Sequence, residues 1–455
     1  MSIWISLNPL SKETKDRLAQ DLTVVQLDES YEKMKKRGKI DPGHIPKPDS
    51  KIPCYHIDPD RNLWVPYHYA RMKFGLKPKL QSYPLMDQAL ENKIDLREAQ
   101  VEVVEHCFND LIAHGCTTVG LPPGFGKTYI GAFLSHCLKL KVLIVVPIAS
   151  VIKAWENTFK TALPGVSVWC VDEFGRIPKG WESSMTPPDV TICLDPRLAK
   201  LPKHWKNKFG TMIIDETHLI PTRDRIENLL SIRPAYVIME TATMEREDGL
   251  HKICHLIGGN HGIFRQAKDP YKFCIVQMPF VQAEESFTAR GVNYGALCES
   301  LSNDKVYNTV ILGIVKKNPE SKFMILTRRA EHGNLLKDLF NSNGIPADTF
   351  LRAKKSYVNS RVLIGTFQKI GTGFDEATFS EHFEGPKSDS LIICHSVAKN
   401  RNFEQFRGRV MRTQDPTVYW LNVKNGVIRA HLTPLKKHVK ETNGTIIEKD
   451  GYDYL

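Results

Sequence analysis

In GLPPGFGKTYIGA, residues 120–132, a glycine-rich turn runs directly into Lys127 and Thr128. Set between the apolar run TTVGL and the helical segment TYIGAFLSHCLKL, such a turn offers main-chain N–H groups, a helix N-terminus and an ammonium to a polyphosphate. The threonine hydroxyl can ligate Mg2+. The strict pattern has glycine where Leu121 stands. Roughly ninety residues downstream, TMIIDETHLI ends an apolar run on Asp215 and Glu216. One carboxylate there can hold Mg2+ through water, and its neighbour can orient and deprotonate an attacking water. Further on, QFRGRVMR carries Arg409 and Arg412 roughly 280 residues beyond Lys127. Planar guanidinium groups stabilise charge on a transferring phosphoryl group. Each piece alone is common in proteins. Together they describe hydrolysis of a nucleoside triphosphate.

The elements that must position these groups are legible from about residue 94. The segment LREAQVEVVEHCFNDLIAHG has apolar residues at helical spacing and ends in glycine. TTVGL, KVLIVVP, VTICL, TMIIDE and YVIMETAT are apolar runs of strand length between helical segments. Continuous apolar strands alternating with helices predict a parallel sheet covered on both faces. The rhythm pauses at GGNHGIFRQAKDPYK and restarts with KFCIVQMPF, the helix DKVYNTVILGIVKKN, then KFMILT, RVLIGT, SLIICHS and TVYWLNV. The expected fold is α/β, with two tandem lobes over 91–265 and 266–430. A small N-terminal accessory module over 1–90 holds the proline- and charge-rich KKRGKIDPGHIPKPDSKIP. The mixed-charge tail 431–455 reads as peripheral.

Bulk properties narrow the class. The 455 residues exceed one core, and 42% hydrophobic with 25% charged residues is an ordinary globular balance. No run of eighteen apolar residues occurs, and the N-terminus lacks the features of a signal peptide, so an intracellular place (cytoplasm, nucleus or virion) without a membrane is expected. Ten cysteines without a C-x-x-C pair read as reduced, buried thiols. Cys54 and His56 have no second pair to complete a metal site. A net charge of +11 suits a polyanionic partner.

In their order the motifs resemble those of the superfamily 2 helicases and translocases, with the D-E-x-H signature Asp215-Glu216-Thr217-His218, over about residues 94–425. That resemblance implies two RecA-like lobes, with ATP and Mg2+ as cofactors. Lys127, Asp215, Glu216, His218, Gln405, Arg409 and Arg412 would form the catalytic set, and Thr128 and Asp215 would hold the metal. It places Arg97 and the adenine-reading Gln100 of LREAQ at the nucleotide, with Pro123, Gly124, Phe125, Gly126, Thr128 and Tyr129 of the turn. VVPIAS resembles motif Ia, directing Pro147 and Ser150 to the nucleic-acid backbone. TAT, Thr241 to Thr243, matches motif III, with Thr243 on the strand, and MILTRR lies at motif IV. GTFQKIGTGFD matches motif V, with Thr366 toward the strand and Gly373 and Asp375 toward the nucleotide. QFRGRVMR matches motif VI.

TATMERED is similar to the R-E-D element of XPB-type DNA translocases, in which the triplet, here Arg246-Glu247-Asp248, is tied to opening duplex DNA. The second lobe lacks room for their thumb-like insertion. Compactness and VNYGALCESLSNDKVYNTVILGIV resemble the poxvirus transcript-release and UvsW-type phage helicases more closely. The expected activity is that of a DNA-dependent ATPase moving 3′ to 5′ in transcription, recombination or repair. An RNA-acting member of the superfamily and a nucleotide-gated clamp without processive motion are the alternatives. Backbone contacts through hydroxyls and amides imply little sequence preference. Trp155 reads as a core residue.

Overall fold

Apolar runs of strand length build two seven-stranded sheets, every strand parallel to its neighbours. A computed structural model describes residues 2–28, 31–32, 35, 50–171, 183–220, 222–241, 246, 248–279, 287–288, 291–371 and 374–455. The chain divides into two compact units: residues up to Arg265, apart from Pro122–Gly124, and residues from Gln266 to Leu455.

In the first unit the strands lie in the order Gly262–Phe264, Cys116–Gly120, Tyr236–Thr241, Thr211–Ile214, Val142–Val146, Val190–Leu194, Val168–Val171. The central strands are buried on both faces, as the unbroken apolar runs require. Leu143, Val145, Met212 and Ile214 pack on one face; Ile144, Val146, Ile192 and Ile213 pack on the other. The chemistry-bearing residues follow strand C-termini: Lys127 after Cys116–Gly120, and Asp215 after Thr211–Ile214.

Residues before 90 do not stand apart as an accessory module. Ser2–Ser6, Asn62–Pro66 and His56–Ile57 form a small antiparallel sheet over Leu7, Leu18, Leu22, Leu63 and Val65. The hairpin partners Thr23–Gln26 and Ser50–Pro53 send Val24, Ile52 and Cys54 into the core on one face of the large sheet. The small sheet thus keeps a minor core of its own, and the Thr23–Gln26 and Ser50–Pro53 pair adds to the core of the large sheet.

In the second unit the order is Ala347–Phe350, Val362–Thr366, Phe323–Thr327, Ser390–Ile393, Thr417–Asn422, Tyr271–Gln277, Gly444–Asp450. The tail is therefore not peripheral. Gly426–Glu441 is a helix capped by the Asn425 side chain, burying Ile428, Leu432, Leu435 and Val439, and Gly444–Asp450 is an edge strand beside Tyr271–Gln277. Lysines and histidines interleaved with those apolar positions hide the helical period. No described helix is long and apolar enough to cross a membrane.

Two buried histidines give the second unit an acid-sensitive core. His332 Nε2 lies 2.9 Å from Asn308 Oδ1 and His395 Nε2 lies 3.2 Å from the Cys298 carbonyl, the rings meeting edge-on at 5.4 Å. Burial pushes His332 down to about 3, helped by His395, and His395 down to about 4. Both pKa values lie below the unfolded value of about 6.5, so unfolding takes up protons. Their contribution is complete above about pH 6.5 and is lost as pH falls toward 4, at up to about 2.7 kcal/mol per pH unit for the pair. Urea midpoints measured between pH 7 and 4.5 should fall along this window. His395→Gln should flatten the slope.

Candidate functional site

The Lys127–Leu138 helix begins without a side-chain cap, directly after Gly124 at φ +85 and Gly126 at φ +96. Uncapped first-turn amides and left-handed glycines make a cradle for anionic oxygens. A Cβ at Gly126 would lie 2.5 Å from Gln100 Nε2, so the turn cannot accept a side chain there. Lys127 Nζ donates to the Leu121 carbonyl at 2.9 Å, which holds the ammonium over the turn. Leu121 itself is fully buried, which explains an apolar residue at the position where the strict pattern has glycine.

Gln100 braces this turn. Its Oε1 accepts from the Arg97 N–H at 2.9 Å and its Nε2 donates to the Phe125 carbonyl at 2.8 Å. Arg97 also donates to Phe125 O and lies against the Phe125 ring. Both ends of the Gln100 amide thus meet the protein, and the expected adenine contact would add to this bracing role. Thr128 occupies the first turn of the helix, followed by Tyr129, which is 45% exposed.

Asp215 follows its strand into a fully enclosed position. Its Oδ2 accepts the Trp155 indole N–H at 2.9 Å and its Oδ1 accepts the Glu216 N–H at 2.8 Å. Burial pushes the Asp215 carboxyl up, while the Trp155 hydrogen bond and the Lys127 charge pull it down. Trp155 is core, as expected, but it also orients this carboxylate. Trp155→Phe keeps the ring packing and removes the donor. We expect a loss of about 1–3 kcal/mol in stability, read by urea melts, together with a raised Mg2+ requirement for turnover.

Glu216 adopts a left-handed conformation, φ 44 and ψ 48. A non-glycine residue held there costs of order 1–3 kcal/mol and persists where surroundings enforce it. Its Oε2 lies 3.4 Å from His218 Nδ1, and that nitrogen lies 2.8 Å from Thr241 Oγ1. A chain of polar contacts therefore runs from the Glu216 carboxylate to the strand Tyr236–Thr241, where the TAT motif begins. Arg246 donates to the His218 carbonyl and grips Asp248 with two nitrogens, at 2.9 and 2.6 Å. Asp248 is buried. Arg246 and Asp248, expected at nucleic acid, also fasten the segment after TAT to the Asp215–His218 turn. Thr243, Glu247 and Gly373 lie outside the described residues, and so does the Ser150 side chain. Pro147 follows directly on the strand Val142–Val146.

Glu240, missed in the sequence, sits one residue before Thr241, 1% exposed, with neither carboxyl oxygen hydrogen-bonded among the described residues. Burial and then the Asp215 charge push its carboxyl well above the usual carboxylate range, against the pull of the Lys127 charge. An acidic residue inside the apolar run YVIMET was the available signal.

Within the second unit the two motif VI arginines are held by motif V. Arg409 donates to the carbonyls of Phe374 at 2.6 Å and Gly371 at 2.5 Å, which makes it a brace of that loop. Arg412 pairs with Asp375, which also accepts Lys387 at 2.9 Å. Burial would raise Asp375, but Arg412 and Lys387 outweigh it and hold the carboxyl at about 2. Gln405 is buried on the helix Asn400–Arg407, which ends just before Arg409. Thr366 ends its strand with Oγ1 accepting from the Lys369 N–H at 3.4 Å. Arg407, 1% exposed, donates to Glu404, whose other oxygen meets His438 Nε2 at 2.6 Å, so the C-terminal helix buttresses motif VI.

The uncapped helix, the Lys127 ammonium and the paired Asp215 and Glu216 carboxylates fit a nucleoside triphosphate with Mg2+. The family described as "Type III restriction enzyme, res subunit" matches residues 93–246. Protein 161L of Invertebrate iridescent virus 6, named a helicase, is 27% identical over 91% of this chain and 95% of its own length. The DNA 3'-5' translocase XPB2 of Sulfurisphaera tokodaii is 27% identical over 37% of this chain and 36% of its own. Transcript termination protein A18 of fowlpox virus is 22% identical over 65% and 66%. The solved S. cerevisiae Dbp5, bound to RNA and ADP BeF3, shares the fold at TM-score 0.53, with 10% identity over 78% of this chain and 90% of that one. The two parallel sheets, the ordered motifs and these matches make the chain similar to the superfamily 2 helicases, and they support a nucleic-acid-dependent ATPase.

Proposed function

We propose that this ATPase is a translocase and helicase on DNA, moving 3′ to 5′, and that it serves transcription. The carrying observation is the chain of contacts Glu216–His218–Thr241, which joins the hydrolytic carboxylate to the motif assigned to strand coupling. Lys127, Thr128 and the turn amides would hold the ATP phosphates, and Asp215 would hold Mg2+, which neutralises charge on the transferring group. Glu216 accepts the proton of the attacking water. Arg409 and Arg412 are assigned to the developing phosphoryl charge. Pro147, Ser150, Thr243 and Thr366 are assigned to backbone phosphates of the strand.

DNA is preferred over RNA for the Arg246–Asp248 pair, which keeps the first and last residues of the R-E-D element in one bidentate unit, and for the similarity to XPB2. The test is ATP turnover with matched DNA and RNA strands, followed by displacement from duplexes with a 3′ or a 5′ tail. Strong stimulation by DNA and displacement on the 3′-tailed duplex are expected. Markedly better stimulation by RNA would move the assignment to RNA, since the 2′-hydroxyl is the only difference in the track. Stimulation without displacement would make the protein a clamp.

A further inference from the structure

Away from the nucleotide residues, the first unit gathers metal-ligating side chains that are scattered along the sequence. Asp110 and His114 stand four apart on the helix Glu98–His114, so they share one face. His261 reaches the same place from the residue before the edge strand Gly262–Phe264, and its carbonyl accepts the Thr118 N–H at 3.0 Å. One ligand atom from each of Asp110, His114 and His261 lies within 4.8 Å of the others. His106, one turn before Asp110, places Nε2 3.5 Å from Asp110 Oδ2.

The neighbours prepare these groups for a cation. Thr117 Oγ1 donates to Asp110 Oδ2 at 3.1 Å, the hydrogen bond that fixes a ligating carboxylate. The His114 and His261 rings stack at 3.7 Å, and His68 meets His261 edge-on at 5.3 Å. Cys116 Sγ contacts His68 Nδ1 at 3.4 Å, outside the three-residue cluster. The donor set is thus nitrogen and oxygen.

We propose that Asp110, His114 and His261 form a binding site for a transition-metal dication of the Zn2+ type, with His106 or water as fourth ligand. Imidazole and carboxylate donors suit this class, and calcium or magnesium sites are built of oxygen alone. Ligand atoms around tetrahedral zinc sit about 3.3 Å apart, given bonds of about 2.0–2.1 Å, so binding draws the three together by at most about 1.5 Å and turns the stacked rings out of parallel. The ion would clasp the last strand of the first unit, Gly262–Phe264, to the helix Glu98–His114, whose Gln100 braces the phosphate-binding turn. Its role is structural, and it does not depend on the identity of the nucleic acid.

The test is a titration of metal-free full-length protein with Co2+ and then Zn2+, with excess Mg2+ and ADP present to occupy the nucleotide site. One equivalent should bind with a Co2+ visible spectrum of tetrahedral nitrogen and oxygen ligation, displaced by Zn2+, and Zn2+ should raise the melting temperature by several degrees. His114→Ala and His261→Ala should each weaken binding at least tenfold. Asp110→Asn, which keeps the side-chain shape, should do the same while far-UV circular dichroism stays that of the wild type. Thr117→Val should weaken binding less. Absence of a saturable equivalent, or affinity unchanged in Asp110→Asn and His261→Ala, would overturn the proposal.

Discussion

Replacing Glu216 with glutamine is expected to lower DNA-stimulated ATP turnover about 10²–10⁴-fold while ATP and strand binding persist. Glutamine matches the shape and keeps an oxygen that can meet His218, 3.4 Å away in the wild type. It cannot accept the proton of the attacking water. Lys127, Asp215 and the turn are untouched, so equilibrium binding of labelled nucleotide should change little. The left-handed backbone at this position, φ 44, is equally strained in both variants, so stability should move little. Two results would contradict the assignment: turnover within threefold of wild type, or loss of ATP binding in step with turnover.

The second large effect is expected at Arg412. Arg412→Ala should reduce turnover about 10³-fold or more, equivalent to about 4 kcal/mol of transition-state stabilisation, with little change in strand affinity. Arg412→Lys keeps a charge but loses the planar fork and should rescue less than about tenfold of that deficit. Arg412 is a cleaner probe than Arg409, whose terminal nitrogens serve the carbonyls of Gly371 and Phe374 and whose loss would loosen motif V. Asp375→Asn reports from the other side of the pair. It removes the charge that holds Arg412, and burial favours the neutral amide, so turnover should fall far less than for Arg412→Ala. A turnover loss in Arg412→Ala no larger than that in Asp375→Asn would assign the arginine to holding motif V in place.

The central strands of the two sheets were legible because parallel strands buried on both faces read as apolar runs. The nucleotide residues were legible because backbone geometry ties them to strand ends at short range. Lys127 must follow its turn, and Glu216 must follow Asp215. What stayed hidden depends on partners far away in sequence. The Gln100 amide meets Phe125 in the turn, and Arg246 meets the His218 carbonyl. Trp155 reaches across to Asp215. His261 joins Asp110 and His114 only because its strand pairs with Cys116–Gly120. The tail misled for a different reason: an edge strand with Glu448, Lys449 and Asp450 exposed carries the composition of a surface loop.

That edge strand carries a consequence for synthesis. Tyr271–Gln277, the first strand of the second unit to leave the ribosome, lies between Thr417–Asn422 and Gly444–Asp450, the last two to be made. Both flanks of this early strand stay bare until residues 417–450 have been made, and at about 5–20 residues per second that wait lasts many seconds. The first unit contains all its own strands and is free to fold meanwhile. A nascent chain paused late in translation would therefore display one finished half and one sticky unfinished half, the condition in which a holding chaperone is most useful.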